Sequence, residues 1–271
     1  REYYNINYFS MKTVDTLGNA LQAQLGELLF FDPVLSGNNK RACASCHKPE
    51  LAFTDGFKKG VSFEKENLDR NTPTLLNTIF QKNFFYDGRA RQLEQQANDV
   101  LHNQKEMNST IEDMINRLNE SDEYKSLFKN SFKGTADTNI NYYGILKAIT
   151  EYEKTLVSMN SRFDQYIKGD YKQLNKQEIN GYNLFSGKAL CGSCHFFPLF
   201  NGLVPPIYND TEYEVIGVPE QSDSKQIDKD KGRVVVSRVH IHEHAFKTPS
   251  IRNVNLTAPY MHNGAYQTLE D

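Results

Sequence analysis

The pentapeptide Cys-x-x-Cys-His occurs twice, as Cys43-Ala44-Ser45-Cys46-His47 and as Cys191-Gly192-Ser193-Cys194-His195, and the two copies use every cysteine of the chain. This spacing is that of covalent c-type haem attachment. Two thiols three residues apart can add across the two vinyl groups of one porphyrin. The adjacent histidine then falls beneath the iron as its proximal imidazole. The motifs therefore predict two haem c groups, one on Cys43, Cys46 and His47 and the other on Cys191, Cys194 and His195. Two haems in one chain predict electron transfer, with chemistry at one of the irons. Other uses of paired cysteines fit less well. Zinc knuckles need no histidine directly after the second cysteine and usually lie closer together in sequence. A dithiol redox pair sits near a βαβ pattern, which is not visible here. Disulfides at this spacing would be strained.

A chain of 271 residues suits one large domain or two modest ones, and 38% hydrophobic with 12% aromatic residues is enough for a packed core. The formal net charge of -3 argues against nucleic acid or another polyanion as partner. The apolar runs are too short to span a bilayer. Attachment of haem to thiols is a modification of exported proteins, so a periplasmic location is expected, with the export signal outside Arg1–Asp271. The last residues, Leu269-Glu270-Asp271, read as the start of a helix, and further chain is expected beyond them.

The periodicity is mainly helical. Leu17, Leu21, Leu25, Leu28 and Leu29 follow helical spacing towards the first haem motif. Ser109-Thr110-Ile111-Glu112 fits a capping box, followed by Met114, Ile115 and Leu118 on one face. Ile145, Ile149, Tyr152 and Leu156 mark another helix, and Ile179, Tyr182 and Phe185 a short one that stops at Gly187. Residues 201–245 read as loop with short strands. There His240, His242 and His244 alternate with Val, Ile and Glu, so a strand would place them on one face, as a solvated edge or a divalent-metal patch. His102 reads as a surface helix residue.

An internal repeat follows the haem motifs. Thr72-Pro73-Thr74-Leu75 recurs as Thr248-Pro249-Ser250-Ile251, Asn77 as Asn253, Gly88 as Gly264, and Leu93-Glu94 as Leu269-Glu270, all at one offset of 176 residues. The simplest account is a duplicated haem domain with about 28 additional residues in the second copy. Two domains are expected, residues 1–160 and 161–271. The fold class is mainly α, two cytochrome c-like haem domains with long loops and a few short strands.

The blocks LGELLFFDPVLSGN, CASCHKPELAFTDG, RNTPTLLN, FFYDGRARQLEQQA and FKTPSIRNVNLTAPYMHNGA together resemble the bacterial dihaem cytochrome c peroxidases, a family that includes the dihaem enzyme that matures methylamine dehydrogenase. The resemblance runs from about Leu25 to the end of the chain. It implies a first haem that reacts with hydrogen peroxide and a second that receives electrons from a small cytochrome c or a cupredoxin. It implies that His47 is the proximal ligand of the peroxide haem and His195 that of the electron-transfer haem. Gln96 and Glu106 match the family's distal-pocket glutamine and glutamate. Asn71, with the carbonyls of Thr257 and Pro259, matches a calcium site between the domains. Tyr86 falls where the family usually has a tryptophan between the haems, as an electron relay or as a packed aromatic. The resemblance is compatible with a homodimer.

The chain departs from the family pattern in four places. Residues 54–72 contain no histidine, whereas many members place there a histidine that plugs the resting peroxide haem. Val100 stands in place of the distal-pocket proline, Tyr86 in place of the tryptophan, and the distal ligand of the second haem is expected beyond Asp271. By the repeat, His262 lies near the second haem, where it packs or bonds a propionate. The function expected is peroxide reduction. The alternatives are a dihaem oxidase that modifies a partner protein and a dihaem electron carrier without catalysis. A polar Gln96/Glu106 pair argues against the carrier, which needs no polar distal pocket.

Overall fold

A computed structural model describes residues 20–271. Leu17, and with it the start of the leucine stripe, lies outside the described residues. The first helix, α1 (Ala20–Phe31), buries Leu25, Leu29 and Phe30, while Leu21 and Leu28 remain exposed. The buried stripe is thus narrower than the leucine spacing suggests. It packs along α5 (Tyr142–Thr155), and the two backbones meet at Gly26, where a Cβ would overlap the Ala148 carbonyl.

Between these helices lie α2 (Leu93–His102), α3 (Ile111–Asn119) and α4 (Asp122–Ser131). Leu101, Met114, Leu118, Phe128, Ile145 and Ile149 close one core with Leu25 and Leu29. Local capping fixes the helix starts. Ser121 caps α4 and Asn141 caps α5. For α3 the cap is Thr110, one residue later than the Ser109 box suggests: Thr110 Oγ1 accepts from Asp113 N at 3.1 Å, so Asp113 and not Glu112 occupies the third helical position.

The chain then turns to α6 (Arg162–Ile167) and α7 (Lys176–Ser186), each begun by a capping box, Ser161 with Asp164 and Asn175 with Glu178. Gly187 ends α7 as expected. Residues 201–245 are mostly irregular, with β1 (Tyr213–Glu214) pairing antiparallel with β2 (Phe246–Lys247) and a four-residue helix α8 (Val234–Ser237). His240–His242 form a 3-10 turn, not a strand. The three histidines do not share a face: His240 is fully exposed, His242 Nδ1 meets Ser237 Oγ at 2.9 Å, and His244 Nδ1 meets the Asp230 carbonyl at 2.8 Å. They form no metal-ligating cluster among the described residues.

The repeat is present in the backbone as well as in the sequence. Cys43–Ser45 and Cys191–Ser193 form equivalent 3-10 turns. Asn77 and Asn253 each start a 3-10 turn from a left-handed conformation, with φ of 64° and 59°. Isolated bridges pair Phe84 with Ala90 and Tyr260 with Tyr266, each enclosing a left-handed glycine, Gly88 at φ 65° and Gly264 at φ 64°. Thr74 Oγ1 donates to the Ala52 carbonyl, and its counterpart Ser250 Oγ donates to that of Leu199. These hydrogen bonds tie each repeat segment to the loop after its own haem motif.

The additional residues of the second copy return to the first. Arg70 bridges Asp87 and Asp230 at 2.7 Å each, and Arg233 donates to the carbonyls of Asp87 and Gly88 at 2.8 and 2.9 Å. The Lys247 amide donates to the Tyr86 carbonyl at 2.7 Å. This inserted stretch fixes how the two motif-bearing segments face each other.

Candidate active site

The residues singled out by sequence converge. Cys43, Cys46, His47, Asn71, Tyr86, Gln96, Glu106, Cys194, His195, Thr257 and Pro259 all line one cavity of about 1090 Å³, and Cys191 stands outside its lining. That volume lies just above the range of roughly 300–1,000 Å³ usual for small-molecule and cofactor sites.

Each motif histidine is held by the same device. His47 Nδ1 lies 3.0 Å from the Phe53 carbonyl, and Pro73 offers a second carbonyl. His195 Nδ1 lies 3.0 Å from the Phe200 carbonyl and 3.1 Å from that of Pro249. Pro73 and Pro249 are repeat partners, and Phe53 and Phe200 both take left-handed conformations that turn their carbonyls inward. A carbonyl on Nδ1 fixes the tautomer and leaves Nε2 free to ligate, the arrangement usual for metal-bound histidine. Burial holds the His47 imidazole below its ordinary pKa and therefore neutral, as a ligand must be.

The four thiols are free, and they do not gather at one point among the described residues, which removes the joint zinc site. Burial pushes the Cys43 thiol up to about 12 and raises Cys46 as well, so both sit as neutral sulfhydryls against the cavity. Free paired thiols, an anchored imidazole and a large shared cavity fit a haem at each motif.

On the other wall of the first site, α2 supplies Gln96, Ala97, Val100 and Leu101, and the turn after it supplies Glu106. Glu106 is half-buried, and its Oε2 accepts from Asn103 Nδ2 at 2.8 Å. Burial raises its pKa, while Asn103, Arg89 and Arg41 draw it back only in part. Arg41 was not foreseen. Its guanidinium donates to the Val61 carbonyl at 2.9 Å and to that of Ser62, and reaches within 3.5 Å of the Glu106 carbonyl. It stitches the 61–62 loop to the turn that carries Glu106. Its position just before the haem motif was the available signal.

Tyr86 donates its phenol to Asn71 Oδ1 at 3.1 Å, and burial raises its pKa, so the phenol stays protonated. Asn71 also joins the two halves, because its backbone N–H donates to the His262 carbonyl at 2.7 Å. His262 stacks on Phe246 with centroids 3.7 Å apart and faces Asp228 at 3.3 Å. His102 is exposed at the end of α2, with Nδ1 2.9 Å from the Asn98 carbonyl and its ring edge-on to Tyr142, and it does not line the cavity.

Residues 20–172 match the family model of the di-haem cytochrome c peroxidases. The cytochrome c551 peroxidase of Nitrosomonas europaea is 36% identical over 252 residues, covering 93% of this chain and 71% of the relative.

The chain belongs to the di-haem cytochrome c peroxidase family.

The methylamine utilization protein MauG of Methylophilus methylotrophus is 34% identical over 251 residues, 92% of this chain and 70% of that protein. Among solved structures, a MauG-like protein associated with microbial copper homeostasis superposes with a TM-score of 0.82 at 27% identity, over 94% of this chain and 76% of that one. The diheme peroxidase BthA of Burkholderia thailandensis gives 0.71 at 25% identity, over 92% and 70%. Membership in the di-haem peroxidase family brings two haems to this chain, in agreement with its two motifs.

Proposed function

We propose that this protein is a periplasmic peroxidase that reduces hydrogen peroxide to two waters, consuming two electrons and two protons, with the electrons drawn from a small cytochrome c or a cupredoxin. The observation that carries the reading is that Gln96 and Glu106 line the same cavity as Cys43, Cys46 and His47. When bound there, haem supplies an iron that can take a peroxide oxygen and exchange electrons with it. The protein's part is acid–base and positional. His47, anchored through Nδ1, presents Nε2 as the proximal ligand. The Glu106 carboxylate accepts the proton of the inner peroxide oxygen and returns it to the leaving oxygen. Burial raises its pKa, and a carboxyl whose pKa moves up towards the working pH exchanges a proton more readily in both directions. The Gln96 amide hydrogen-bonds the peroxide.

His195 serves the second, electron-receiving haem in the same proposal. Tyr86 bridges the two sites as an aromatic relay. Its phenol donates to an amide oxygen, a weak base, which favours passage through the ring over a deprotonated radical. The two haem domains divide near residue 160. In support, Asn77 clasps Leu156 and Ser158 to the first half, whereas Asp164 binds Arg252 of the second.

Steady-state oxidation of reduced cytochrome c by peroxide tests the reading, and absence of turnover in holoprotein carrying two haems would overturn it. The MauG relative and the histidine-free 54–72 loop keep oxidation of a partner protein as the second reading. Accumulation of an oxidised partner without turnover of cytochrome c would favour it.

Two further expectations follow from the site. Residues 54–72 offer no histidine or methionine, and His102 is held on the outer side of α2. With haem bound on His47, the oxidised resting protein should therefore be high-spin. Electron paramagnetic resonance of the untreated oxidised protein measures this, and a purely low-spin spectrum would show a closed site.

A calcium ion is proposed between the halves, held by Asn71 Oδ1 and the carbonyls of Thr257 and Pro259, an all-oxygen set that suits a hard cation. Support comes from the direct tie of Asn71 to the 257–262 segment through His262. Chelation should slow electron transfer between the haems before either half unfolds. An unchanged transfer rate in metal-free protein, followed by stopped-flow absorbance, would remove the ion from the proposal.

A further inference from the structure

Helix α5 buries Ile145 and Ile149, and one further turn along the same face comes Glu153, only 5% exposed. Its Oε2 is sealed from solvent and has no hydrogen-bond partner among the described residues. Its backbone carbonyl is taken by Thr78 Oγ1 at 3.3 Å, so the helix end is fixed. The side chain lines the cavity beside Cys43, whose thiol feels its charge. An isolated buried carboxylate is costly, and such a group stays protonated unless something compensates it.

The surrounding charges do not compensate. Glu94 faces it from α2 and Lys154 from its own helix, but Lys154 is shared between Glu151 at 3.0 Å and Glu94 at 3.6 Å. Cys43 faces it from the 3-10 turn, and a thioether there would no longer titrate. The turn at Thr78–Phe80 offers only the Thr78 hydroxyl. Burial first, then Glu94, push the carboxyl up to about 8 against the pull of Lys154. The acid–base chemistry assigned to Glu106 makes no use of this group.

We infer that Glu153 couples protonation to the oxidation state of the first haem site, taking up one proton when that haem gains one electron and releasing it when the electron leaves. The inference rests on the proposed attachment of that haem to Cys43 and Cys46. The electron comes from the one-electron donor of the peroxidase cycle and the proton from solvent, so the charge of the site is unchanged by reduction. The sign follows from electrostatics. The added electron raises the proton affinity of the nearby carboxylate, so reduction becomes harder as pH rises. The dependence spans the interval between the carboxyl pKa values of the oxidised and reduced states.

The test is spectroelectrochemical titration of the holoprotein from about pH 6 to about pH 9, preceded by a haem count. The midpoint potential of the first haem should fall with pH by up to ~59 mV per unit, the value for one proton per electron. Glu153→Gln should flatten the slope and Glu153→Asp should retain it. Fewer than two covalent haems would overturn the functional reading itself. Two haems with a pH-independent potential, or a slope that survives Glu153→Gln, would overturn this inference alone. Should Glu153→Gln not take up haem, the reduced-minus-oxidised infrared difference spectrum of the unaltered protein decides. A deuterium-sensitive protonated-carboxyl band should be gained on reduction, and its absence refutes the assignment.

Discussion

Glu106→Gln should lower peroxide turnover by about 10² or more, the scale of lost general acid–base help. The substitution keeps the size of the side chain. Gln Oε1 can still accept from Asn103 Nδ2, the bond that positions Glu106 at 2.8 Å, so the turn after α2 and the haem content should be unchanged. Only the titratable proton is lost. Burial holds the Glu106 carboxyl above its ordinary range, so in the unaltered enzyme turnover should rise as pH increases through that pKa and the basic form appears. In the variant this acidic limb should vanish from the pH–rate profile. Turnover close to that of the unaltered enzyme, measured with reduced cytochrome c and peroxide, would take Glu106 out of the mechanism.

What the sequence made legible was whatever is local or repeated. The Cys-x-x-Cys-His spacing marks positions whose neighbours in sequence are also neighbours in space, and the constant offset between Thr72 and Thr248 reappears as matched turns, bridges and left-handed residues. The core helices were visible for the same reason, since Met114, Leu118, Ile145 and Ile149 sit at helical intervals and are buried. Features set by tertiary context were not. The His240–His244 alternation looks like a strand, but among the described residues no strand pairs with it, and the segment forms a 3-10 turn. The leucine stripe of α1 overstated the buried face, because the close approach at Gly26 decides which leucines enter the core. Glu153 lies four residues after Ile149 on a buried face, and a charge at such a position is the signal that was available. Arg252 gave no signal, because its partners Asp164 and Pro198 are distant in sequence.

Arg252→Met should destabilise the C-terminal half by about 3–5 kcal/mol, the cost of breaking a buried ion pair by removing one partner. The Arg252 and Asp164 side chains are 7% and 3% exposed, and their contact is bidentate at 3.0 and 2.8 Å. The same guanidinium donates to the Pro198 carbonyl at 2.9 and 2.7 Å and lies 5.6 Å from the centre of the Phe200 ring. Pro198 to Phe200 is the loop whose carbonyl orients His195. The matching position of the first copy is Leu76, so this clamp belongs to the second site alone. Burial by itself would raise the Asp164 pKa, but the bonds from Arg252 and Ser161 outweigh it and hold the carboxyl below its ordinary value. A depressed carboxyl stabilises the fold above its unfolded pKa, and that contribution is lost as pH falls through the folded value. The gap between the unaltered protein and Arg252→Met should therefore be full at neutral pH and close under acid. Denaturant unfolding at both pH values measures it, with Arg252→Met/Asp164→Asn recovering part of the loss because no unpaired charge is left buried. The second haem should also become less firmly held, seen as a shift in its potential while that of the first is unchanged. An unfolding midpoint within error of the unaltered protein at neutral pH would mean that the pair does not hold this loop.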